Sequence, residues 1–166
     1  MAETPATVRV LFVCTGNICR SPTAEGVFRA MVDACGLADR IEADSAGTGA
    51  WHRGEPPDER AQRAAAARGI DLSGQRARQV TATDFERFHL IVALDRSHRR
   101  HLRAVAPDGG QDRIRLLMDY APQAAASDVP DPYYGGPGGF DRVLDLIEAG
   151  ADGLLRAIRD EFLRPR

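Results

Sequence analysis

The sequence predicts an α/β fold in which a doubly wound, four-stranded parallel sheet is flanked by helices on both faces. Short apolar runs alternate with amphipathic helical patterns along the chain, and this alternation is typical of βαβ units. The 166 residues are 43% hydrophobic and 28% charged, which suffices for one domain with a sizeable core. We therefore expect a single domain over residues 1–166, with a flexible N-terminus over residues 1–7.

Two strands and two helices are predicted in the first half of the chain. The apolar run Val8–Val13 predicts the first strand, and Ile41–Ala46 predicts the second. Apolar residues at helical spacing predict one helix over Pro22–Cys35 and another over Asp58–Arg68. A helix thus follows each strand, as a parallel sheet requires.

The second half of the chain continues this alternation. Leu90–Leu94 and Ile114–Leu117 predict two further strands, and a helix over Ser97–Val105 lies between them. Thr83 precedes Glu86 by three residues, a spacing that matches a capping box and predicts a short helix there.

The last predicted helix is the longest and runs from Phe140 to about Leu163. Gly150 and Gly153 are expected to weaken its middle, because glycine has a low helix propensity. The apolar spacing nevertheless predicts one helix.

Composition limits the classes of function open to this chain. Its formal net charge is −2 at pH 7, which argues against general binding to nucleic acid or to an anionic membrane. The segment Met1–Thr7 has no basic residue, and the next apolar run is too short for a signal sequence or a membrane span. Three cysteines do not resemble a disulfide framework. We expect a cytoplasmic protein, with signal-independent export left open.

Three chemically interesting segments lie at the carboxyl ends of predicted strands. They are Cys14–Ser21 at the first strand, Ser45–Trp51 at the second and Asp95 at the third. Ligands of doubly wound sheets bind outside the carboxyl ends of the strands. We therefore expect the functional site at this edge.

The Cys14–Ser21 segment combines a thiol with groups that bind anions. Its loop N–H groups and the N-terminus of the next helix can face one point, and Arg20 adds a planar donor that matches phosphate. Gly16 and Asn17 tolerate the positive φ that such a loop requires. These groups would stabilise a Cys14 thiolate and a bound tetrahedral dianion. The spacing of Cys14 and Arg20, with five residues between them, is weak evidence by itself in a chain with 22 arginines. A buried structural cysteine before an ordinary helix is therefore the alternative.

This loop and several later segments resemble the low-molecular-weight protein tyrosine phosphatases, in their bacterial form. Residues 13–22, Val-Cys-Thr-Gly-Asn-Ile-Cys-Arg-Ser-Pro, closely resemble the phosphate loop of that family. The later segments match in order along nearly the whole chain: Ser45–Thr48 with Trp51, Arg78–Val80, Ala93–Asp95 and Asp131–Gly135. The resemblance therefore does not depend on the loop alone.

The resemblance implies catalytic roles for three residues. Cys14 would be the nucleophile, Arg20 would bind the phosphate, and Asp131 would be the general acid. Taken without the family, Asp131 and the proline after it are only a turn signal. The other residues of the phosphate-binding loop would be Thr15, Gly16, Asn17, Ile18, Cys19 and Ser21.

The family pattern also implies residues that support the loop. Ser21 would donate a hydrogen bond to the Cys14 sulfur, and Asn17 would hold the loop in shape with Ser45 as a partner. Family members often have a histidine in this network where this chain has Gln75. Glutamine keeps hydrogen-bonding capacity but does not titrate near neutral pH, so we expect activity to survive and loop rigidity or the pH profile to differ. Two weaker supporting candidates are Asp58 and Asp95.

Aromatic residues and the second loop cysteine each have two interpretations. Trp51, Tyr133 and Tyr134 would wall a slot for an aromatic phosphoester, and ordinary surface packing is the alternative. In the family, the cysteine at the position of Cys19 can form a reversible disulfide with the nucleophile; a small apolar filler against the first helix is the alternative. Cys35 is expected to be a small core residue.

The basic residues outside the loop carry weaker signals. The histidines have no cysteine or carboxylate pattern around them, so we expect surface or packing roles for all four: His52, His89, His98 and His101. The arginine-rich run over residues 96–103 is most simply a solvated helix face, with a docking patch for acidic phosphoproteins as the alternative.

The resemblance implies hydrolysis of phosphotyrosine in proteins, and of aryl phosphates, through a phosphocysteine intermediate. No cluster has metal-ligand spacing, so we expect no metal and no cofactor. The expected partners are phosphotyrosine proteins, with a cognate bacterial tyrosine kinase as a further candidate, and the chain is expected to be a monomer.

Two other functions compete with this hypothesis. A thiol-dependent arsenate reductase shares the fold but relays oxidation through a downstream cysteine pair, and no cysteine follows Cys35 here. A silent phosphate-binding module is expected to lose Cys14 or Asp131, and this chain keeps both. Both observations favour the phosphatase.

Overall fold

In the computed structural model, which describes residues 6–132 and 138–163, parallel strands form one sheet in the order β2-β1-β3-β4. Val8 lies opposite Ile41 at one end of the β1–β2 pair, and Cys14 lies opposite Gly47 at the other. The predicted parallel sheet is confirmed, and each strand ends within one residue of its predicted end. The strands are β1 (Val8–Cys14), β2 (Ile41–Gly47), β3 (Leu90–Ala93) and β4 (Ile114–Leu116).

Each predicted helix is present, with small changes at its ends. The helices are α1 (Arg20–Ala34), α2 (Glu59–Ala66), α3 (Asp84–Arg87), α4 (Arg96–Val105) and α5 (Gly139–Phe162). Short 3-10 helices lie on either side of β4, at Gln111–Arg113, Leu117–Tyr120 and Pro122–Ala124. No described helix is both long and apolar enough to cross a membrane. Most of the N-terminus that we expected to be flexible, residues 1–7, lies outside the described residues.

The sheet separates two apolar clusters, because alternate side chains of a strand point to opposite faces. Val10 and Phe12 of β1 are buried in a cluster that also contains side chains of α1 and α5. Leu11 and Val13 belong to the other cluster, with side chains of α3 and α4. The helices therefore cover both faces, which leaves the carboxyl edge of the sheet for the loops.

The two glycines of α5 allow close packing of this helix. A Cβ at Gly153 would lie 1.9 Å from the carbonyl oxygen of Tyr120, and a Cβ at Gly150 would lie 2.7 Å from Cγ of Leu117. The helix is continuous through both positions. The low helix propensity of these glycines is thus offset by close contact of α5 with the Leu117–Tyr120 segment, which a larger residue would prevent.

Two local predictions are wrong. Thr83 makes no side-chain capping hydrogen bond; Asp84 instead accepts from the backbone N–H of Thr81 at 2.8 Å and pairs with Arg78. Cys35 is exposed rather than in the core. It is the C-cap residue that ends α1.

Candidate active site

The chain between β1 and α1 forms a tight loop at the carboxyl edge of the sheet. Cys14 is the last residue of β1, and Arg20 is the first residue of α1. The backbone N–H of Thr48 donates to the Cys14 carbonyl at 2.8 Å, and that of Gly49 donates to the Thr15 carbonyl at 3.1 Å. The segment that follows β2 therefore supports the start of the loop, as the strand order predicts.

Asn17 connects this loop to two other segments. Its φ is 58°, a left-handed conformation that asparagine tolerates better than most residues. Its buried amide donates to Ser21 Oγ at 2.8 Å and to Ser45 Oγ at 2.9 Å, while its Oδ1 accepts from the backbone N–H of Arg78 at 3.0 Å. One side chain can tie three segments together because an amide both donates and accepts.

The Ser21 hydroxyl links Asn17 to the thiol. Its oxygen lies 2.9 Å from Cys14 Sγ and accepts from the Asn17 amide. The hydroxyl proton is therefore available to the sulfur, since the weaker alternative acceptor, the Ala46 carbonyl, lies 3.4 Å away. This arrangement can donate a hydrogen bond to a Cys14 thiolate.

Arg20 is buried and held by Asp95. Its Nη1 donates to Asp95 Oδ2 at 2.8 Å and to the Val129 carbonyl at 3.0 Å. Its Nη2 lies 3.7 Å from Asp131 Oδ2. Partial burial raises the pKa of the Asp95 carboxyl, but hydrogen bonds from Ser97, from the His98 backbone N–H and from Arg20 outweigh burial and lower that pKa. Asp95 therefore stays ionised at neutral pH and orients the guanidinium.

A cavity of about 240 Å³ opens above the thiol and brings the predicted catalytic residues together. Trp51 is 74% exposed beside this cavity. Tyr133 and Tyr134, the other predicted wall residues, lie outside the described residues. The cavity is lined by Cys14, Thr15, Gly16, Ile18, Cys19, Arg20, Trp51, His52 and Asp131.

Gln75 and Asp58 contact opposite parts of this region. Gln75 donates to the Pro22 carbonyl at 2.9 Å and its Oε1 accepts from Ser45 Oγ at 3.4 Å, so it joins the Asn17 network. Asp58 donates its backbone N–H to the Ile18 carbonyl at 2.8 Å, and its carboxylate caps α2. Asp58 therefore supports the outer side of the loop.

Cys19 lies buried in the same loop as the candidate nucleophile. Burial, and secondarily the Asp58 carboxylate, raises the pKa of Cys19 to about 12. This cysteine is therefore a protonated thiol at neutral pH, and a thiol is a weak nucleophile. Its redox pairing with Cys14, which the family resemblance implies, stays a prediction.

The structure places two of the four histidines, for which we expect surface or packing roles, at the candidate site. His98 is 2% exposed, and its Nε2 lies 2.8 Å from Thr15 Oγ1 and 3.4 Å from Arg20 Nη2. His52 lines the cavity. The missed signal was the spacing of three between Asp95, at a strand end, and His98, which puts both in the first turn of α4.

Comparison with known proteins identifies the family. The family model for low molecular weight phosphotyrosine protein phosphatase matches residues 9–163. The chain belongs to this family. A low molecular weight protein-tyrosine-phosphatase from Streptomyces coelicolor is 51% identical over 158 residues, which cover 93% of this chain and 96% of that protein. The chain is therefore an enzyme of the protein tyrosine phosphatase kind, as the resemblance implied.

Solved structures of this phosphatase family share the fold. The crystal structure of YfkJ from Bacillus subtilis matches with a TM-score of 0.89 at 43% identity, over 95% of this chain and 98% of that one. The structure of a protein tyrosine phosphatase from Entamoeba histolytica, with Hepes in its active site, matches with a TM-score of 0.90 at 34% identity, over 93% and 98% of the two chains. Both likenesses confirm the predicted fold class.

Proposed function

We propose that this phosphatase hydrolyses phosphotyrosine in proteins through a covalent phosphocysteine on Cys14. Arg20 and the loop N–H groups bind the phosphate, and Asp131 is the general acid and base. One observation carries this proposal: the Cys14 thiol, the Arg20 guanidinium and the Asp131 carboxyl line one cavity of about 240 Å³.

In the first step, Cys14 Sγ attacks phosphorus in line with the departing phenolate. The Ser21 hydroxyl, 2.9 Å from Sγ, stabilises the thiolate by donating to it. Arg20 neutralises charge on the phosphoryl oxygens, and Asp131 gives its proton to the phenolate oxygen as the bond to phosphorus breaks. The product is a phosphocysteine and a neutral phenol.

In the second step, water attacks the phosphocysteine and releases inorganic phosphate. Asp131, now ionised, takes the proton of that water, while Cys14 leaves as a thiolate. The Ser21 hydroxyl favours this departure because it again donates to the sulfur. Both steps thus use the same groups in reversed roles.

The cavity mouth supports an aromatic ester as the substrate. Trp51 presents an exposed ring there, and Gly49 makes room for this ring, since a Cβ at Gly49 would lie 1.7 Å from it. An aromatic ring can stack on a phenyl phosphate but gains little from a short alkyl phosphate. Tyr133 and Tyr134 stay predicted members of this wall.

Hydrolysis of an aryl phosphate and of a phosphotyrosine peptide, with and without a metal chelator, tests the proposal. We expect no turnover from Cys14→Ser, and a kcat about 10²–10⁴-fold lower from Asp131→Asn. Matched controls are Cys35→Ser and Asp108→Asn, which change exposed residues outside the cavity and should keep full activity. Circular dichroism checks that each variant folds.

The covalent step has its own readout. Wild-type protein quenched in acid during turnover should carry a phosphoryl group on the peptide that contains Cys14, detected by mass spectrometry. Full activity of Cys14→Ser, or turnover that the chelator abolishes, would contradict the mechanism. Arsenate reduction coupled to a thiol at a rate comparable with phosphatase turnover would favour the reductase instead.

A further inference from the structure

His98 is a buried polar residue in a helix that is mostly exposed. Only His98 and Leu102 are buried among the ten residues of α4. His98 lies in the first turn, where its backbone N–H donates to Asp95 Oδ1 at 2.9 Å. A buried imidazole costs stability unless its nitrogens find partners, so its contacts show what it does.

The contacts of the ring determine which nitrogen carries the proton. A guanidinium only donates hydrogen bonds, so the approach of Arg20 Nη2 to His98 Nε2 at 3.4 Å makes Nε2 an acceptor. The Thr15 hydroxyl, 2.8 Å away, then donates to the same nitrogen. The proton of the neutral ring therefore lies on Nδ1, which faces Asp95 Oδ1 at 3.2 Å.

This Nδ1 contact is electrostatic rather than a well-directed hydrogen bond. Among the described residues, Nδ1 of His98 is a buried side-chain atom without a hydrogen-bond partner of good geometry, although the Asp95 carboxylate is close. Asp95 Oδ1 already accepts from Ser97 Oγ and from the His98 backbone N–H. The ring is thus oriented mainly through Nε2, on the side of the phosphate loop.

We infer that His98 is a positioning residue of the active site: its neutral imidazole accepts from the Thr15 hydroxyl and faces Arg20 Nη2, and so fixes the phosphate loop relative to the phosphate-binding arginine. The inference rests on the proposed function, since it assigns His98 a task in binding the phosphate of that reaction. His98 acts through Thr15 and Arg20 and does not touch the reacting atoms.

The charges around the ring keep it neutral. Burial, followed by the positive charge of Arg20 in α1, lowers the pKa of His98 to about 4. Three carboxylates oppose this shift: Asp95 before α4, and Asp128 and Asp131 in the segment before α5. Protonation would place a hydrogen on Nε2 and remove the acceptor that Thr15 and Arg20 share. The positioning contact therefore requires pH values above this pKa.

Loss of the imidazole should weaken phosphate binding without abolishing it. Arg20 would keep its hydrogen bonds to Asp95 and to the Val129 carbonyl, so its charge stays in the cavity. The Thr15 hydroxyl and Nη2 of Arg20 would lose a shared acceptor. Because one buried hydrogen bond is involved, we expect His98→Ala to raise the Kd for inorganic phosphate about tenfold at pH 7.

Titration calorimetry with inorganic phosphate tests this inference without any turnover. His98→Gln should restore phosphate affinity to within about threefold of wild type, because an amide oxygen can accept near the position of Nε2. His101→Ala, at an exposed position of the same helix, should bind like wild type. Leu102→Ala removes the other buried side chain of α4 and should lower stability but leave phosphate affinity unchanged.

The pH dependence separates positioning from simple packing. Between pH 7 and pH 4, wild-type affinity should fall more steeply than that of His98→Gln, since phosphate ionises equally for both proteins. The inference would be overturned if folded His98→Ala bound phosphate like wild type, or if Leu102→Ala lost as much phosphate affinity as His98→Ala. It would also be overturned if phosphate affinity had the same pH dependence in wild type and in His98→Gln. If the wild type bound phosphate but hydrolysed no aryl phosphate, the proposed function would be contradicted, and the phosphate affinities of the variants could still be compared.

Discussion

Replacing Asn17 tests how the phosphate loop is held in its active shape. Its amide makes three hydrogen bonds of 2.8, 2.9 and 3.0 Å, to Ser21, Ser45 and the backbone N–H of Arg78. Its backbone has a φ of 58°. Asn17→Gly removes the hydrogen bonds but tolerates this φ, whereas Asn17→Ala removes them and also strains the backbone.

The magnitudes follow from these contacts. Each lost hydrogen bond costs about 1 kcal/mol net, so Asn17→Gly should lower the free energy of unfolding by roughly 3 kcal/mol. Alanine at a positive φ costs about 1 kcal/mol more than glycine. We therefore expect Asn17→Ala to be less stable than Asn17→Gly by that amount.

Urea unfolding followed by far-UV circular dichroism measures both differences. Ala125 is a matched control for the backbone, because it is exposed and has a φ of 52°, and Ala125→Gly should be as stable as wild type or slightly more stable. A loss below about 1 kcal/mol in Asn17→Gly would refute the hydrogen-bond reasoning. Equal stability of the glycine and alanine variants of Asn17 would refute the backbone reasoning.

Packing, ion pairing and titration lead to three further predictions. Gly153→Ala places a Cβ 1.9 Å from the Tyr120 carbonyl oxygen, so urea unfolding should show a loss of roughly 2 kcal/mol or more. Asp84→Ala removes a buried carboxylate that pairs with Arg78 and accepts from the Thr81 backbone N–H, while Arg78 keeps its pair with Asp44, so the same assay should show a loss of about 2 kcal/mol. Burial and Arg20 lower the pKa of His98 from 6.5 to about 4. Between these two pH values the unfolded chain binds more protons than the folded protein, so the free energy of unfolding falls as the pH falls from 6.5 to 4. The total decrease from this group is at most roughly 3 kcal/mol, and urea unfolding at several pH values should show no such decrease in His98→Gln.

Each of these outcomes has a control or a contradicting result. Gly74→Ala adds a Cβ that meets nothing within 4 Å, and an equal loss there would show that close packing is not the cause at Gly153. Asp84→Asn keeps the volume of the side chain, and wild-type stability in that variant would contradict the ion-pair argument. If the free energy of unfolding of His98→Gln depended on pH between 6.5 and 4 as that of wild type does, groups other than His98 would be responsible for the decrease.

Local errors in the sequence-based predictions have one physical origin. The spacing of three between Thr83 and Glu86 predicts a capping box, but the Thr83 side chain makes no cap, and the adjacent Asp84 carboxylate accepts from the Thr81 backbone N–H and pairs with Arg78. Its residue type and its place at a helix end before Gly36 predict a core position for Cys35, but the end of α1 leaves it exposed. Both outcomes depend on the path that the backbone takes, which neither a spacing of three nor a residue type determines.

The sequence by itself determined the order of strands and helices, the family and the candidate groups of the loop from Cys14 to Arg20. Apolar periodicity and the loop pattern are properties of neighbouring residues, so they can be read before the chain folds. Only the tertiary structure decided which distant side chains serve that loop. His98 follows Thr15 by 83 residues yet lies 2.8 Å from its hydroxyl, because β3 pairs beside β1 and directs the start of α4 to the same edge of the sheet.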